Sequence, residues 1–187
     1  MAHLVMIRHS IPEKDTSVPA NQWRLSHAGR EACKALVKEI EPYAPTIMIS
    51  SMEPKAIETA QILGRQLGIP NEIAAGLHEH DRSNVPHLPS QQNFEDQVKA
   101  MFEKPGERVF GLESADQSHA RYAAAVNALL ESYPGETLGI VSHGTVMSLF
   151  IGRANPVDPY EFWQTLEMPD FVVLGLPGLR LKERALQ

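Results

Sequence analysis

Leu4-Val5-Met6-Ile7-Arg8-His9-Ser10 is the stretch whose reading decides the fold. Four consecutive apolar residues, stopped by a cation beside an imidazole, read as a strand buried on both faces, the pattern of a parallel sheet with helices on each side. Leu138-Gly139-Ile140-Val141, followed by Ser142-His143-Gly144, repeats the arrangement far downstream. Both histidines then stand just beyond a strand's carboxyl end, the edge at which open α/β sheets bind ligands.

Working outward, strands are also expected at residues 46–49, 72–75, 171–174 and 179–181, the last two joined as a terminal hairpin by the turn dipeptide Pro177-Gly178. Between them lie helices. Ser26 reads as an N-cap, and Ala28, Ala32, Leu36 and Ile40 as a buried stripe that Pro42 ends, with His27 an exposed residue at the helix start. Pro54 opens a second helix carrying Ala56, Ala60, Leu63 and Leu67. Phe94, Val98 and Met101 mark a third, and Ser114 with Gln117 resembles a capping box for a fourth that Pro134-Gly135 ends. A helix follows His143, and a short one follows Asp158-Pro159. The alternation predicts an α/β fold, a three-layer α/β/α sandwich with a mostly parallel central sheet. Residues 76–113 depart from it as a candidate lid or specificity excursion, with a helical layer that touches no substrate as the alternative.

The 187 residues, 43% hydrophobic and 21% charged, fit one domain spanning residues 1–187 with a core that needs no disulfide or metal staple. A single cysteine, Cys33, forms no intramolecular bridge and suits a reducing compartment. No apolar run reaches transmembrane length, and Met1-Ala2-His3-Leu4 does not read as a signal peptide, so a cytoplasmic location and no membrane partner are expected. The net charge of −6 argues against a nucleic-acid partner but allows a cationic pocket inside an acidic shell.

Lys55, in the first turn of its helix, opposes the positive end of the helix dipole, a placement that suits an anion bound there or else a solvated surface lysine. In Gly76-Leu77-His78-Glu79-His80-Asp81-Arg82 an extended chain turns His78 and His80 one way and Glu79 the other. That leaves a two-histidine metal face, a lone carboxylate in a pocket, or a polar surface turn. No third ligand follows at metal spacing, so no metal or other cofactor is assigned. Arg8, His9, Ser50, Lys55, Glu79 and His143 all follow expected strands, and one edge gathers them. Such a set suits a phosphoryl group, whose oxygens need fixed positive donors and which a neutral imidazole can attack.

Arg8-His9, Ser50-Ser51-Met52-Glu53-Pro54-Lys55-Ala56-Ile57-Glu58-Thr59-Ala60, Leu77-His78-Glu79 and Ser142-His143-Gly144 together resemble the histidine phosphatase, or phosphoglycerate mutase-like, superfamily, in the family's order and at compatible spacing. The resemblance implies a metal-independent phosphatase acting on a phosphomonoester through a phosphohistidine at His9. It implies Arg8 and His143 as phosphate ligands and Glu79 as proton donor to the leaving oxygen. The family usually has glycine where Ser10 stands and arginine where Lys55 stands. Both are counted with Arg8 and His143 as phosphate-binding candidates, and lysine offers a point charge in place of a bidentate fork. The alternatives are a weakly active or inactive phospho-ligand or partner-binding member of the same fold, a phosphomutase, and a metal-dependent hydrolase using His78 and His80. The partner is expected to be a small phosphate ester or a phosphorylated protein side chain.

Overall fold

In a computed structural model, residues 2–86 and 88–184 are described. Six strands, β1 (His3–Arg8), β2 (Ile47–Ser50), β3 (Asn71–Ile73), β4 (Leu138–Ser142), β5 (Asp170–Gly175) and β6 (Arg180–Arg184), form one sheet in the order β3-β2-β4-β1-β5-β6. β3, β2, β4 and β1 are parallel neighbours, while β5 runs antiparallel to both β1 and β6. The sheet is therefore mixed and mostly parallel.

The alternation of side chains along β1 explains its unbroken apolar run. Leu4 and Met6 enter one core with α4 (Ala115–Ser132), α5 (Gly144–Ala154) and α6 (Pro159–Gln164), through Tyr122, Val126, Val146, Phe150 and Phe162. Val5 and Ile7 enter the other with α1 (His27–Ile40) and α2 (Pro54–Leu67), through Cys33, Leu36, Ile40, Ala60 and Leu63. Because both faces are covered, each of β1's residues from Leu4 to Ile7 is fully buried and apolar. The parallel strands deliver Arg8-His9, Ser50-Ser51 and Ser142-His143 to one edge, with Arg8 paired to Ser142 and Ser50 to Val141 in register.

The 76–113 stretch carries α3 (Gln91–Glu103). Val98 and Phe110, with Val85, Leu88 and Phe94 against them, pack on Trp163 of α6 in a small core of their own. Met101 joins Leu149 of α5. Helix starts follow local chemistry: Ser26 accepts from the Gly29 N–H, Ser114 and Gln117 form a reciprocal capping box, and Asp158 accepts from the N–H groups of Tyr160 and Glu161.

Two expectations are corrected. The buried stripe of α1 is Gly29, Cys33, Leu36 and Ile40, with Ala28 exposed. The helix is rotated because the chain at Ile11 lies against Gly29, where a Cβ would stand 2.1 Å from the Ile11 carbonyl oxygen. Only glycine admits that approach. β3 covers Asn71–Ile73 and stops before Ala74, and all three of its residues are exposed, as suits a short edge strand. The terminal hairpin forms as expected, and its first strand pairs with β1 along its whole length.

Candidate functional site

His9 leaves β1 nearly buried, its backbone N–H donating to the Ser142 carbonyl at 2.9 Å. Its Nδ1 lies 2.8 Å from the Ser10 carbonyl, which has no proton to give, so Nδ1 carries the proton and Nε2 is the lone-pair nitrogen. Burial, followed by the charges of His143, Lys55 and Arg8, holds the His9 pKa well below 6.5. The ring is neutral at neutral pH.

The His143 ring lies across from it, the centroids 5.1 Å apart in an edge-to-face arrangement. Its Nε2 is 2.7 Å from the Ser51 Oγ, which itself accepts from the Glu53 N–H. The Ser51 hydroxyl can donate to Nε2 or accept from it, so this contact holds the ring in place without fixing which nitrogen carries the proton. The His143 Nδ1 is buried with no hydrogen-bond partner among the described residues. Burial and the Lys55 charge lower the His143 pKa well below 6.5, against an opposing pull from Glu79. Gly144 follows for a steric reason: a Cβ there would meet the Arg8 Nε at 3.2 Å.

Arg8 donates from Nη1 to the Leu166 carbonyl at 2.6 Å, which fixes its plane, while its Nε is buried and unpartnered among the described residues. Lys55, 6% exposed, donates to the Ala20 carbonyl at 2.7 Å and to the Glu53 Oε2 at 2.6 Å. The same Glu53 accepts the Glu79 N–H on Oε1 at 2.9 Å and brings that oxygen within 3.3 Å of the His143 Nε2. One buried carboxylate thus ties the Lys55, Glu79 and His143 segments together.

Glu79 takes part in an N-terminal cap. Its Oε2 accepts from the Thr145 N–H and its Oε1 from the Val146 N–H, both at 3.2 Å, at the start of α5. A pKa raised by burial would suit a proton donor. Burial does push the carboxyl up, but Arg82, His143 and the N–H groups of His80 and Thr145 outweigh it, and the net shift is downward. The loop bearing Glu79 is held by Arg121 of α4, which donates to the carbonyls of Gly76, His78 and Glu79 and forks onto Glu113 through Nε and Nη2, both at 2.8 Å.

Of the residues expected here, Arg8, His9, Lys55, Glu79 and His143 converge, and Ser10 does not offer its hydroxyl. Ser10 is fully buried, its Oγ donating to the Gly29 carbonyl at 2.7 Å and its N–H to the Thr59 Oγ1 at 3.1 Å, so both are spent on the fold. The two-histidine metal face does not form either. His80 places Nε2 2.8 Å from the Glu113 carbonyl and stacks on Phe110, and among the described residues no group of three or more His, Cys, Asp or Glu could hold a metal ion. No helix among the described residues is long and apolar enough to cross a membrane. Glu53, Arg82, Ser51 and Arg121 were not singled out by the sequence reading. Glu53, Ser51 and Arg82 stood inside quoted stretches, and an acid two residues before Lys55 is the one signal that could have found Glu53.

A family model described as the histidine phosphatase superfamily (branch 1) matches residues 4–173. No curated protein matches the sequence. Among solved structures, a mycobacterial glucosyl-3-phosphoglycerate phosphatase aligns at 21% identity and a TM-score of 0.73, covering 92% of this chain and 89% of that one. A phosphoserine phosphatase mutant from Entamoeba histolytica, in complex with phosphoserine, aligns at 17% identity and a TM-score of 0.72, covering 98% and 96%. The alpha-ribazole phosphatase of Shigella flexneri aligns at 17% identity and a TM-score of 0.71, covering 96% and 95%. These likenesses are of fold.

Proposed function

Because this chain belongs to the histidine phosphatase superfamily (branch 1), we propose that it hydrolyses a phosphomonoester through a phosphohistidine formed on His9. The observation that carries the reading is the lone-pair Nε2 of His9 on a ring facing that of His143, together with two buried nitrogens, Arg8 Nε and His143 Nδ1, that have no protein partner among the described residues. Buried polar atoms left unpaired cost stability, and an anion's oxygens satisfy them. The phosphatase activity of fold relatives supports the same reaction class.

In the first step the His9 Nε2 attacks phosphorus, the bond from phosphorus to the ester oxygen breaks, and that oxygen leaves with a proton from Glu79. In the second step water attacks phosphorus, the P–N bond breaks, Glu79 takes a proton from the water, and His9 returns to its neutral form. Arg8 and His143 hold the equatorial oxygens, and Lys55 adds positive charge from the rear of the pocket. A bound phosphoryl dianion raises the Glu79 pKa from its depressed resting value, so the carboxyl is protonated when a leaving group needs it. The 76–113 segment, packed over α6, supplies the specificity walls within a single-domain chain.

The test is hydrolysis of an aryl phosphate by wild type and His9→Ala, with trapping of labelled phosphate on the protein by an alkaline detergent quench and its release by acid. Wild type forms an acid-labile phosphoprotein, and His9→Ala loses both label and turnover, with no effect of a chelator on wild type. Turnover that survives in His9→Ala overturns the assignment.

A further inference from the structure

Arg82 brings to the site a guanidinium for which the two-step reaction has no use. It follows Glu79 by three residues in a loop held at both ends, the Leu112 N–H donating to the Asp81 carbonyl at 2.7 Å and the Val85 N–H to the Arg82 carbonyl at 2.9 Å. Its Cζ stands 4.8 Å from the Phe94 ring centroid and 5.8 Å from that of Phe110. A guanidinium stacked on aromatic faces keeps its in-plane N–H groups for an oxygen acceptor. Here one of them stays idle: Nη1 is buried with no hydrogen-bond partner among the described residues. The adjacent Asp81 side chain is turned to Ser83, whose N–H and Oγ both donate to its Oδ1.

The position of the charge says which part of a ligand it meets. Arg82 shares a loop with Glu79, whose carboxylate caps the start of α5 next to His143, and its charge is felt by Glu79, His143 and Arg8. It arrives on Glu79's own loop, with rings from the 76–113 segment around it. Glu79 is the group assigned to the leaving oxygen, so Arg82 stands on the alcohol's side of the site.

We propose that Arg82 forms a second anion subsite, which selects phosphomonoesters whose alcohol portion itself carries a negative group, a carboxylate or a further phosphate. The proposal rests on the phosphatase reading for its orientation, with the leaving group on the Glu79 side. A charge-assisted hydrogen bond from a half-buried guanidinium through its buried Nη1 is worth roughly ten- to a hundredfold in affinity.

The experiment compares 3-phosphoglycerate, fructose 1,6-bisphosphate and glycerol 3-phosphate as substrates of wild type, Arg82→Ala and Arg82→Lys. Wild type prefers one or both anionic alcohols over glycerol 3-phosphate in kcat/KM, which also identifies the negative group as carboxylate or phosphate. Arg82→Ala lowers that preference about ten- to a hundredfold, and Arg82→Lys restores part of it. Equal losses on all three substrates would assign Arg82 to the transferred phosphoryl group and overturn the proposal, as would a wild type with no preference. Calorimetric binding of the same three compounds to His9→Ala, with and without Arg82→Ala, reads the subsite without turnover. Absent hydrolysis with a binding preference that needs Arg82 sinks the phosphatase reading and keeps the subsite; hydrolysis without that preference does the reverse.

Discussion

Replacing Arg121 with Gln tests how the Glu79 loop is held. Arg121 forks onto Glu113, both side chains 19% exposed, and closes three carbonyls of the 76–79 loop. Burial raises the Glu113 carboxyl, but hydrogen bonds from Arg121, Ser118 and the Asp81 N–H, with the Arg121 charge, outweigh it and lower its pKa from 4.5 to about 2. At about 1.4 kcal/mol per pH unit that shift has a ceiling of about 3.4 kcal/mol, which solvent screening of a partly exposed pair reduces to about 2. Three carbonyls handed to water add about 1 kcal/mol more, so Arg121→Gln costs about 3 kcal/mol at pH 7. The folded pKa is depressed, so this stability is fully present above about pH 4.5 and is lost as pH falls through about 2. Urea melts at pH 7, 5, 4 and 3 then show a gap between wild type and variant that is constant down to about pH 5 and narrows below it. Turnover also drops, by about tenfold or more, because the Glu79 carboxyl is no longer held over the leaving oxygen. A stability gap of the same size at pH 3 as at pH 7 would refute the ion-pair reasoning, and full activity in the variant would refute the positioning role.

Glu53→Gln leaves Lys55 a buried cation facing a neutral amide and costs about 3 kcal/mol, whereas adding Lys55→Met to that variant costs far less than in wild type; additivity within about 0.5 kcal/mol in a double-mutant cycle rules out the coupling. Gly29→Ala sets helix propensity, which gains about 1 kcal/mol, against a Cβ 2.1 Å from a backbone oxygen. The clash wins by about 1 to 3 kcal/mol, and a raised melting temperature contradicts it. With an alkyl phosphate as substrate, kcat/KM rises as pH falls from 7 to 5, because protonated Glu79 becomes more abundant while His9, its pKa held low, stays neutral. Glu79→Gln flattens that limb; a wild-type rate that climbs from pH 5 to 7 speaks against Glu79 as the acid.

The layers and the delivery of His9 and His143 to one edge were legible in the sequence because strand burial is written locally. The unbroken run from Leu4 to Ile7 reports two covered faces wherever the partners come from. Capping is local as well, and Ser26, Ser114 and Asp158 act as their neighbours predict. The stripe of α1 was read one residue off because Ala28 and Gly29 are alike in periodicity and differ only in what approaches them, and the Ile11 carbonyl arrives from 18 residues away in sequence.

By itself the sequence determined which residue types reach the site: two imidazoles, an arginine and a carboxylate, each just after a strand. Only the tertiary structure decided which atoms remain free there. Ser51 meets His143 across 92 residues, Arg121 meets Glu79 across 42, and Glu53 meets Glu79 across 26. Contacts of this kind occupy the His143 Nε2, spend Lys55 on Glu53, and leave the Arg8 and Arg82 nitrogens open. The physical reason is that a polar side chain's role is fixed by what satisfies its hydrogen bonds, and in a loop no periodicity announces a partner that only folding brings within 3 Å.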